Sequence, residues 1–137
     1  MILYLDTGDL LKLYVDEPES DRIAALVRDA DLVATSVVAY AEARAALARL
    51  RREGRLASQP ARSAVRQLDA DWPRLLAIAL GDELGRAAGR LADRLGVRGF
   101  DAIHLASFET LVARSDDPDV RFSSADDRLV RAARTLG

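Results

Sequence analysis

A chain of 137 residues, with 50% hydrophobic and 31% charged residues, has the size and composition of one globular domain. It contains no cysteine and a single histidine, which excludes disulfides, thiolate metal sites and multi-histidine zinc or iron sites. No apolar run approaches membrane-spanning length and the first residues lack a signal-peptide pattern, so we expect one cytoplasmic domain over residues 1–137.

The hydrophobic pattern predicts strands that alternate with helices along the whole chain. The predicted strands span residues 2–5, 32–35, 75–80 and 120–123. The predicted helices span about residues 10–14, 19–28, 36–53, 60–70, 82–95, 100–113 and 125–135. This alternation favours an α/β fold, in which helices cover both faces of a parallel sheet. Ligands of such sheets bind at the carboxyl ends of the strands, where the strand order reverses.

Four carboxylates lie where predicted strands give way to helices: Asp6, Glu42, Asp101 and Asp126. Apolar or small residues surround each of them, and buried acids are rare unless they are paired. At about 5 Å and an effective dielectric of about 20, each pair of carboxylates would repel by roughly 3 kcal/mol. A hard cation, Mg²⁺ or Mn²⁺, is the simplest group that offsets this repulsion. The pattern therefore predicts a metal-dependent enzyme.

Each acid also has a structural interpretation. Asp6 can cap the turn that follows it, and Asp101 can complement the positive end of a helix dipole. Asp126 follows Ser124, which can begin the last helix as part of a capping box. Glu42 is harder to explain structurally, because its helical neighbours are apolar. The shared location of the four acids, at one end of the sheet, favours function.

The remaining polar and aromatic side chains favour structural roles. His104 lies one turn after Asp101 on a helix that is apolar nearly all round, a position typical of a hydrogen-bonded core histidine. Tyr40 and Trp72 are expected to be packing residues. A segment rich in arginine (residues 42–66, with seven arginines) is typical either of nucleic-acid contact or of a solvated helix surface.

Four stretches of the chain together carry a family resemblance. They comprise residues 4–7 with 11–14 and 17–20, residues 36–47, residues 98–106 (Arg-Gly-Phe-Asp-Ala-Ile-His-Leu-Ala) and residues 122–129. In this order and spacing they resemble PIN-domain ribonucleases, specifically the VapC-type toxins of prokaryotic toxin–antitoxin pairs. The resemblance covers essentially the whole chain.

The resemblance implies a three-layer α/β/α sandwich with a central parallel sheet and an acidic site that binds Mg²⁺ or Mn²⁺. It carries the family's catalytic acids over to Asp6, Glu42, Asp101 and Asp126. Of these, the metal ligands are Asp6, Asp101 and Asp126. The supporting hydroxyls carry over to Thr7 and Ser124.

The implied reaction is hydrolysis of RNA, often tRNA or rRNA, and the implied protein partners are a cognate antitoxin and a second copy of the chain. Arg44, Arg49 and Arg52 are predicted to hold the RNA backbone, and their region equally suits a dimer or antitoxin interface. Two residues beside the first acid depart from the family. Gly8 stands where serine is usual, and Asp9 stands where a small apolar residue is usual.

Three other functions compete with this prediction. Leu5-Asp6-Thr7-Gly8 resembles the active-site tripeptide of retroviral aspartic proteases, but that site requires an all-β fold. A phosphotransferase with an aspartyl nucleophile requires a second acid at the position of Gly8. A non-catalytic RNA- or protein-binding PIN domain remains open, because Gly8 lacks a hydroxyl that can position a metal-bound water.

Overall fold

The computed structural model describes residues 1–137 and contains one sheet of four short parallel strands. The strands are β1 (Ile2–Leu5), β2 (Leu32–Ser36), β3 (Leu76–Ile78) and β4 (Val120–Ser123), in the spatial order β3-β2-β1-β4. Ile2 is in register with Leu32 on one side and with Val120 on the other. The predicted parallel sheet is therefore confirmed, with β3 shorter than the predicted 75–80.

Seven helices connect and flank the strands. They are α1 (Thr7–Leu11), α2 (Ser20–Asp29), α3 (Val38–Arg52), α4 (Ser58–Asp71), α5 (Asp82–Leu95), α6 (Gly99–Arg114) and α7 (Asp127–Leu136). Helix α4 begins two residues before Pro60, which its first turn accommodates because that turn needs no proline N–H. None of the seven helices combines the length and apolar character needed to cross a membrane.

Two apolar cores lie on opposite faces of the sheet. Alternate residues of β1 point to opposite sides, so Leu3 and Leu5 enter one core while Tyr4 enters the other. The Leu3 side packs against α1, α2, α3 and α4, whereas the Tyr4 side packs against α5, α6 and α7. This arrangement is the predicted α/β/α sandwich.

The strand order reverses at β1, which lies between β2 and β4. Because all strands are parallel, the segments that leave β1, β2 and β4 emerge at the same edge of the sheet. Asp6 follows β1 directly, Asp126 follows β4, and Glu42 lies in the second turn of α3, the helix after β2. The topology thus brings the predicted acids toward one edge, where parallel sheets bind their ligands.

Candidate active site

An open cleft of about 960 Å³ lies at this edge and contains three of the four predicted acids. Asp6, Glu42 and Asp101 line it, each half-buried. Thr7, predicted as a supporting hydroxyl, lines it too. Residues from β1–α1, α3 and the first turn of α6, which are distant in sequence, therefore form one concave surface.

Asp6 both caps a helix and faces the cleft. Its Oδ1 accepts a hydrogen bond from the backbone N–H of Asp9 at 2.9 Å, which makes it the N-cap of α1. Burial raises the pKa of the Asp6 carboxyl above its ordinary value, and hydrogen bonding by Ser124 and by the Asp9 N–H only partly offsets that effect. The capping and the functional interpretation of Asp6 are thus compatible.

Glu42 is held in place by two hydrogen-bond partners. The hydroxyl of Thr7 donates to Oε1 at 2.5 Å, and Nε2 of His104 lies 3.2 Å from the same oxygen. Burial by itself raises the pKa of Glu42, but the hydrogen bonds from His104 and Thr7 outweigh it and lower the pKa below the ordinary value. Glu42 is therefore an oriented, ionised carboxylate.

His104 links this carboxylate to the apolar core. Its side chain is 3% exposed, and Nδ1 lies 2.8 Å from the hydroxyl of Tyr4. Burial raises the pKa of Tyr4 well above its ordinary value, so its hydroxyl keeps its proton and can donate it to Nδ1. A ring that accepts at Nδ1 carries its proton on Nε2 and donates toward Glu42. The prediction of a hydrogen-bonded core histidine is confirmed, whereas the position of His104 in the lining of the cleft was not predicted. Its spacing of three residues from Asp101 on one helix was the available signal.

Asp101 lies in the first turn of α6, where its charge complements the helix dipole as the structural interpretation expected. Nε of Arg98 approaches Oδ2 to 3.7 Å, but the Arg98 side chain is 93% exposed. Such an exposed pair is weak because water screens it. Asp101 therefore keeps a carboxylate that is available to a ligand in the cleft.

Asp126 is not among the residues that line the cleft. It is the N-cap of α7, where its Oδ1 accepts from the N–H of Arg128 at 2.9 Å and its Oδ2 lies 3.2 Å from the Arg128 guanidinium. The side chain of Arg128 lowers the pKa of Asp126. The proposed capping box is wrong in detail, because Asp126 rather than Ser124 caps the helix, and Ser124 Oγ accepts from the Asp126 N–H. The catalytic and metal roles of Asp126, and the supporting role of Ser124, stay predictions.

The tight four-acid cluster expected from the sequence is not present. No three acidic or histidine side chains approach each other closely enough to form a metal-binding group. Arg128 is paired with the carboxylate of Asp126. Thr7 and His104 both form hydrogen bonds with Oε1 of Glu42. The chemistry of the cleft still fits a hard cation, because its donors are carboxylate oxygens and the raised pKa of Asp6 marks a charge that lacks compensation.

The two departures from the family have different structural consequences. Gly8 is exposed in the cleft, and a Cβ at this position would meet only Asp6 Oδ1, at an ordinary 3.7 Å. Asp9 is fully buried and turns away from the cleft, because Lys12 Nζ contacts its Oδ1 at 2.6 Å and Ser123 Oγ donates to its Oδ2 at 2.6 Å. The extra acid is therefore neutralised inside the protein.

Basic and aromatic side chains form the exposed part of the cleft. Arg49 and Arg52, both predicted to contact RNA, line it together with Arg98 and the exposed ring of Phe100. Arg44 does not line it and instead donates to the hydroxyl of Tyr40 at 2.7 Å. Phe100 was not predicted as a cleft residue, because the apolar pattern of residues 100–113 indicates a buried helix.

Tyr40 and Trp72 pack against each other, with ring centroids 5.3 Å apart in an edge-to-face arrangement. Neither ring lines the cleft. Their predicted role as packing residues is confirmed.

Known proteins resemble this chain over almost its whole length. The sequence pattern of the PIN domain matches residues 3–134. Ribonuclease VapC49 of Mycobacterium tuberculosis is 32% identical over 136 residues, which cover 99% of this chain and 92% of the relative. Ribonuclease VapC46 of the same organism is 36% identical over 141 residues, with 98% and 92% covered.

Solved structures share the fold at lower sequence identity. The FitAcB structure from Neisseria gonorrhoeae superposes with a TM-score of 0.68 at 18% identity, covering 98% of this chain and 94% of that one. VapBC2 from Rickettsia felis, bound to a DNA fragment from its promoter, gives a TM-score of 0.58 at 15% identity, covering 90% and 100%.

Proposed function

The chain belongs to the PIN-domain family, and on that premise we propose that it is a metal-dependent endoribonuclease, the toxin of a toxin–antitoxin pair. One observation carries the proposal. Asp6, Glu42 and Asp101 come from three distant segments and line a single cleft whose exposed side is basic. The relatives named ribonuclease, which align over almost the whole chain, support an RNA substrate.

Asp6 and Asp101 would hold Mg²⁺ or Mn²⁺ in the cleft. Asp126, the third ligand that the resemblance implies, would have to turn from Arg128 to join them. A bound cation of this kind lowers the pKa of a coordinated water and offsets negative charge on a reacting phosphate. These hard cations prefer oxygen ligands. The cleft offers the carboxylate oxygens of Asp6, Glu42 and Asp101.

Glu42 would orient the attacking water. Oε1 is engaged by Thr7 and His104, and Oε2 has no hydrogen-bond partner within the protein. Oε2 can therefore accept a hydrogen bond from water in the cleft. That water displaces the ribose 3′ oxygen from phosphorus. The new P–O bond leaves a 5′-phosphate, and the departing oxygen takes up a proton to become a 3′-hydroxyl.

Arg49 and Arg52 would hold the RNA backbone as it enters the cleft, since guanidinium groups pair well with phosphate. A tRNA or an rRNA is the proposed substrate class, and the cytoplasm is the proposed location. The proposed protein partners are a cognate antitoxin and a second copy of the chain. These proposals rest on the resemblance to VapC-type toxins and on the names of the relatives.

A non-catalytic RNA- or protein-binding PIN domain is the second candidate. Two observations favour it: Gly8 lacks a hydroxyl, and the acids do not form a closely packed metal-binding group. The two candidates differ in one property, because a binding module would retain RNA without cutting it.

The deciding experiment follows cleavage of total tRNA and rRNA by the purified chain. We expect cleavage with Mn²⁺, loss of cleavage in EDTA and recovery when Mn²⁺ is restored. Glu42→Gln should reduce the rate by about 10²–10⁴-fold while the circular dichroism spectrum is unchanged. Glu17→Gln, which alters an exposed acid outside the cleft, is the matched control. RNA retained intact by the wild-type chain under all metal conditions would establish the second candidate.

A further inference from the structure

We infer that the ring of Phe100 is a stacking platform for one nucleobase of single-stranded RNA bound in the cleft. This inference rests on the proposed ribonuclease function and specifies how the same cleft holds its substrate. The platform would position the nucleotide chain for the acids and would favour bases that stack strongly.

Phe100 is exposed in a helix that is otherwise largely buried. The residue is 56% exposed, the largest value among the exposed large hydrophobic residues. Later residues of α6, such as Leu105 and Phe108, are buried in the core. Folding therefore leaves this aromatic surface in water although burial of a phenylalanine is favourable, and a ligand that covers the ring would recover that benefit.

The ring is placed where a substrate base would need it. Phe100 lines the cleft with Asp6, Glu42 and Asp101, and it immediately precedes Asp101 in the chain. Because both side chains line this one cleft, a base stacked on the ring would keep its own phosphate near the acids.

The surroundings of the ring favour RNA over an apolar protein partner. Arg49, Arg52 and Arg98 share the cleft and are exposed, which provides positive charge for the phosphates beside a flat ring for a base. This combination is how single-stranded nucleic acids are bound without strict sequence readout. The other exposed large hydrophobics, Val37, Leu76 and Leu80, do not line the cleft, so Phe100 is the one exposed large hydrophobic side chain beside its charged groups.

The test measures binding of fluorescein-labelled oligoadenylate and oligouridylate of about ten nucleotides. Binding is measured by anisotropy in EDTA, so that cleavage does not interfere. Phe100→Ala should raise the Kd for oligoadenylate by about 5- to 150-fold. It should raise the Kd for oligouridylate less, because uracil stacks weakly. Phe100→Trp should retain or tighten binding and keep the preference for adenine. Leu80→Ala, which removes an exposed apolar side chain outside the cleft, should leave both Kd values unchanged.

Equal oligoadenylate affinity of Phe100→Ala and wild type would overturn the inference. So would an equal loss of affinity for both oligonucleotides, which indicates a general effect on the cleft. Weaker self-association of Phe100→Ala in sedimentation, with RNA affinity unchanged, would assign the ring to a contact between two copies instead. Cleavage of RNA by wild type with Mn²⁺ is scored separately. If cleavage fails while the adenine preference depends on Phe100, the ribonuclease proposal is wrong and the platform stands.

Discussion

The hydroxyl of Tyr4 lies 2.8 Å from Nδ1 of His104, at the inner end of a hydrogen-bond chain that reaches Glu42. Tyr4 lies in β1 and His104 in α6, so the contact joins the central strand to the helix that covers it. The orientation of a residue in the cleft thus depends on a hydroxyl in the core.

Tyr4→Phe removes that hydroxyl and leaves Nδ1 of His104 buried without a partner. An unsatisfied buried group of this kind costs about 1–3 kcal/mol, which urea unfolding would measure. We also expect a lower rate of RNA cleavage, because the His104 proton is no longer fixed on Nε2. Tyr14→Phe is the control, since Tyr14 donates to Asp71 away from the cleft. Equal cleavage rates for the two variants would contradict the proposed coupling.

Asp6→Asn should raise the thermal stability at pH 7 while it abolishes cleavage. Because burial raises the pKa of Asp6 in the folded chain, ionisation of this group opposes folding at neutral pH. Asparagine keeps the cap of α1 and removes that cost. The gain should shrink as the pH falls through the raised pKa and vanish below the unfolded value near 3.8. The measurement is the melting temperature in EDTA, followed from pH 7 down to about one unit below that unfolded value.

Glu42→Gln should change the stability at pH 7 in the opposite direction to Asp6→Asn. The hydrogen bonds from His104 and Thr7 lower the pKa of Glu42, so its ionised form contributes to stability above the unfolded value of 4.5. Glutamine should therefore reduce stability at pH 7, with the difference lost as the pH falls through the lowered pKa. A stabilising effect of Glu42→Gln at pH 7 would be inconsistent with this hydrogen-bond arrangement.

Lys12→Met should be strongly destabilising, because it leaves the fully buried carboxylate of Asp9 without its counter-ion. Breaking a buried pair in this way costs about 3–5 kcal/mol. Arg86→Met breaks the exposed Arg86–Asp82 pair and should cost less than about 1 kcal/mol. The double variant Asp9→Asn/Lys12→Met should recover much of the loss in urea unfolding. Failure of that recovery would show that Lys12 acts through packing.

Gly8→Ser should fold normally, since the space around Gly8 admits a Cβ at an ordinary contact distance from Asp6. We expect a gain of about 0.5 kcal/mol, because serine has a higher helix propensity than glycine. The added hydroxyl beside Asp6 should increase cleavage at limiting Mn²⁺. Gly8→Ala is the control, because it replaces the glycine without adding a hydroxyl. Equal dependence of cleavage on Mn²⁺ in Gly8→Ser and Gly8→Ala would rule out a role for the serine hydroxyl.

Arg49→Ala and Arg52→Ala should each weaken RNA binding and reduce its salt dependence, because both side chains line the cleft. For single strands, each lost phosphate contact lowers the slope of log K against log salt by about 0.7. Arg44→Ala is the matched control from the same helix, because Arg44 lies outside the cleft. Anisotropy titrations at several salt concentrations give the three slopes. An equal slope change for Arg44→Ala would place the RNA path along α3 instead.

Much of this molecule was predictable from local pattern. Short apolar runs predicted the boundaries of the strands to within a few residues. The amphipathic helix over residues 82–95 was predicted to the residue. Periodicity determines backbone conformation and the side of an element that faces the core. Alternation of strands and helices then required a parallel sheet, and a parallel sheet places the ends of β1 and β4 at one edge.

Side-chain partners were decided only by the tertiary structure. Asp126 and Asp6 have equivalent positions in the sequence pattern, but Asp126 pairs with Arg128 outside the cleft while Asp6 faces into it. His104 reaches Thr7 across 97 positions of the chain, and no local pattern encodes that contact. The sequence by itself determined which segments converge, because backbone geometry follows from short-range sterics and burial. Only the packed fold decided which charges meet, because a buried polar group takes whichever partner the neighbouring elements bring within hydrogen-bond distance.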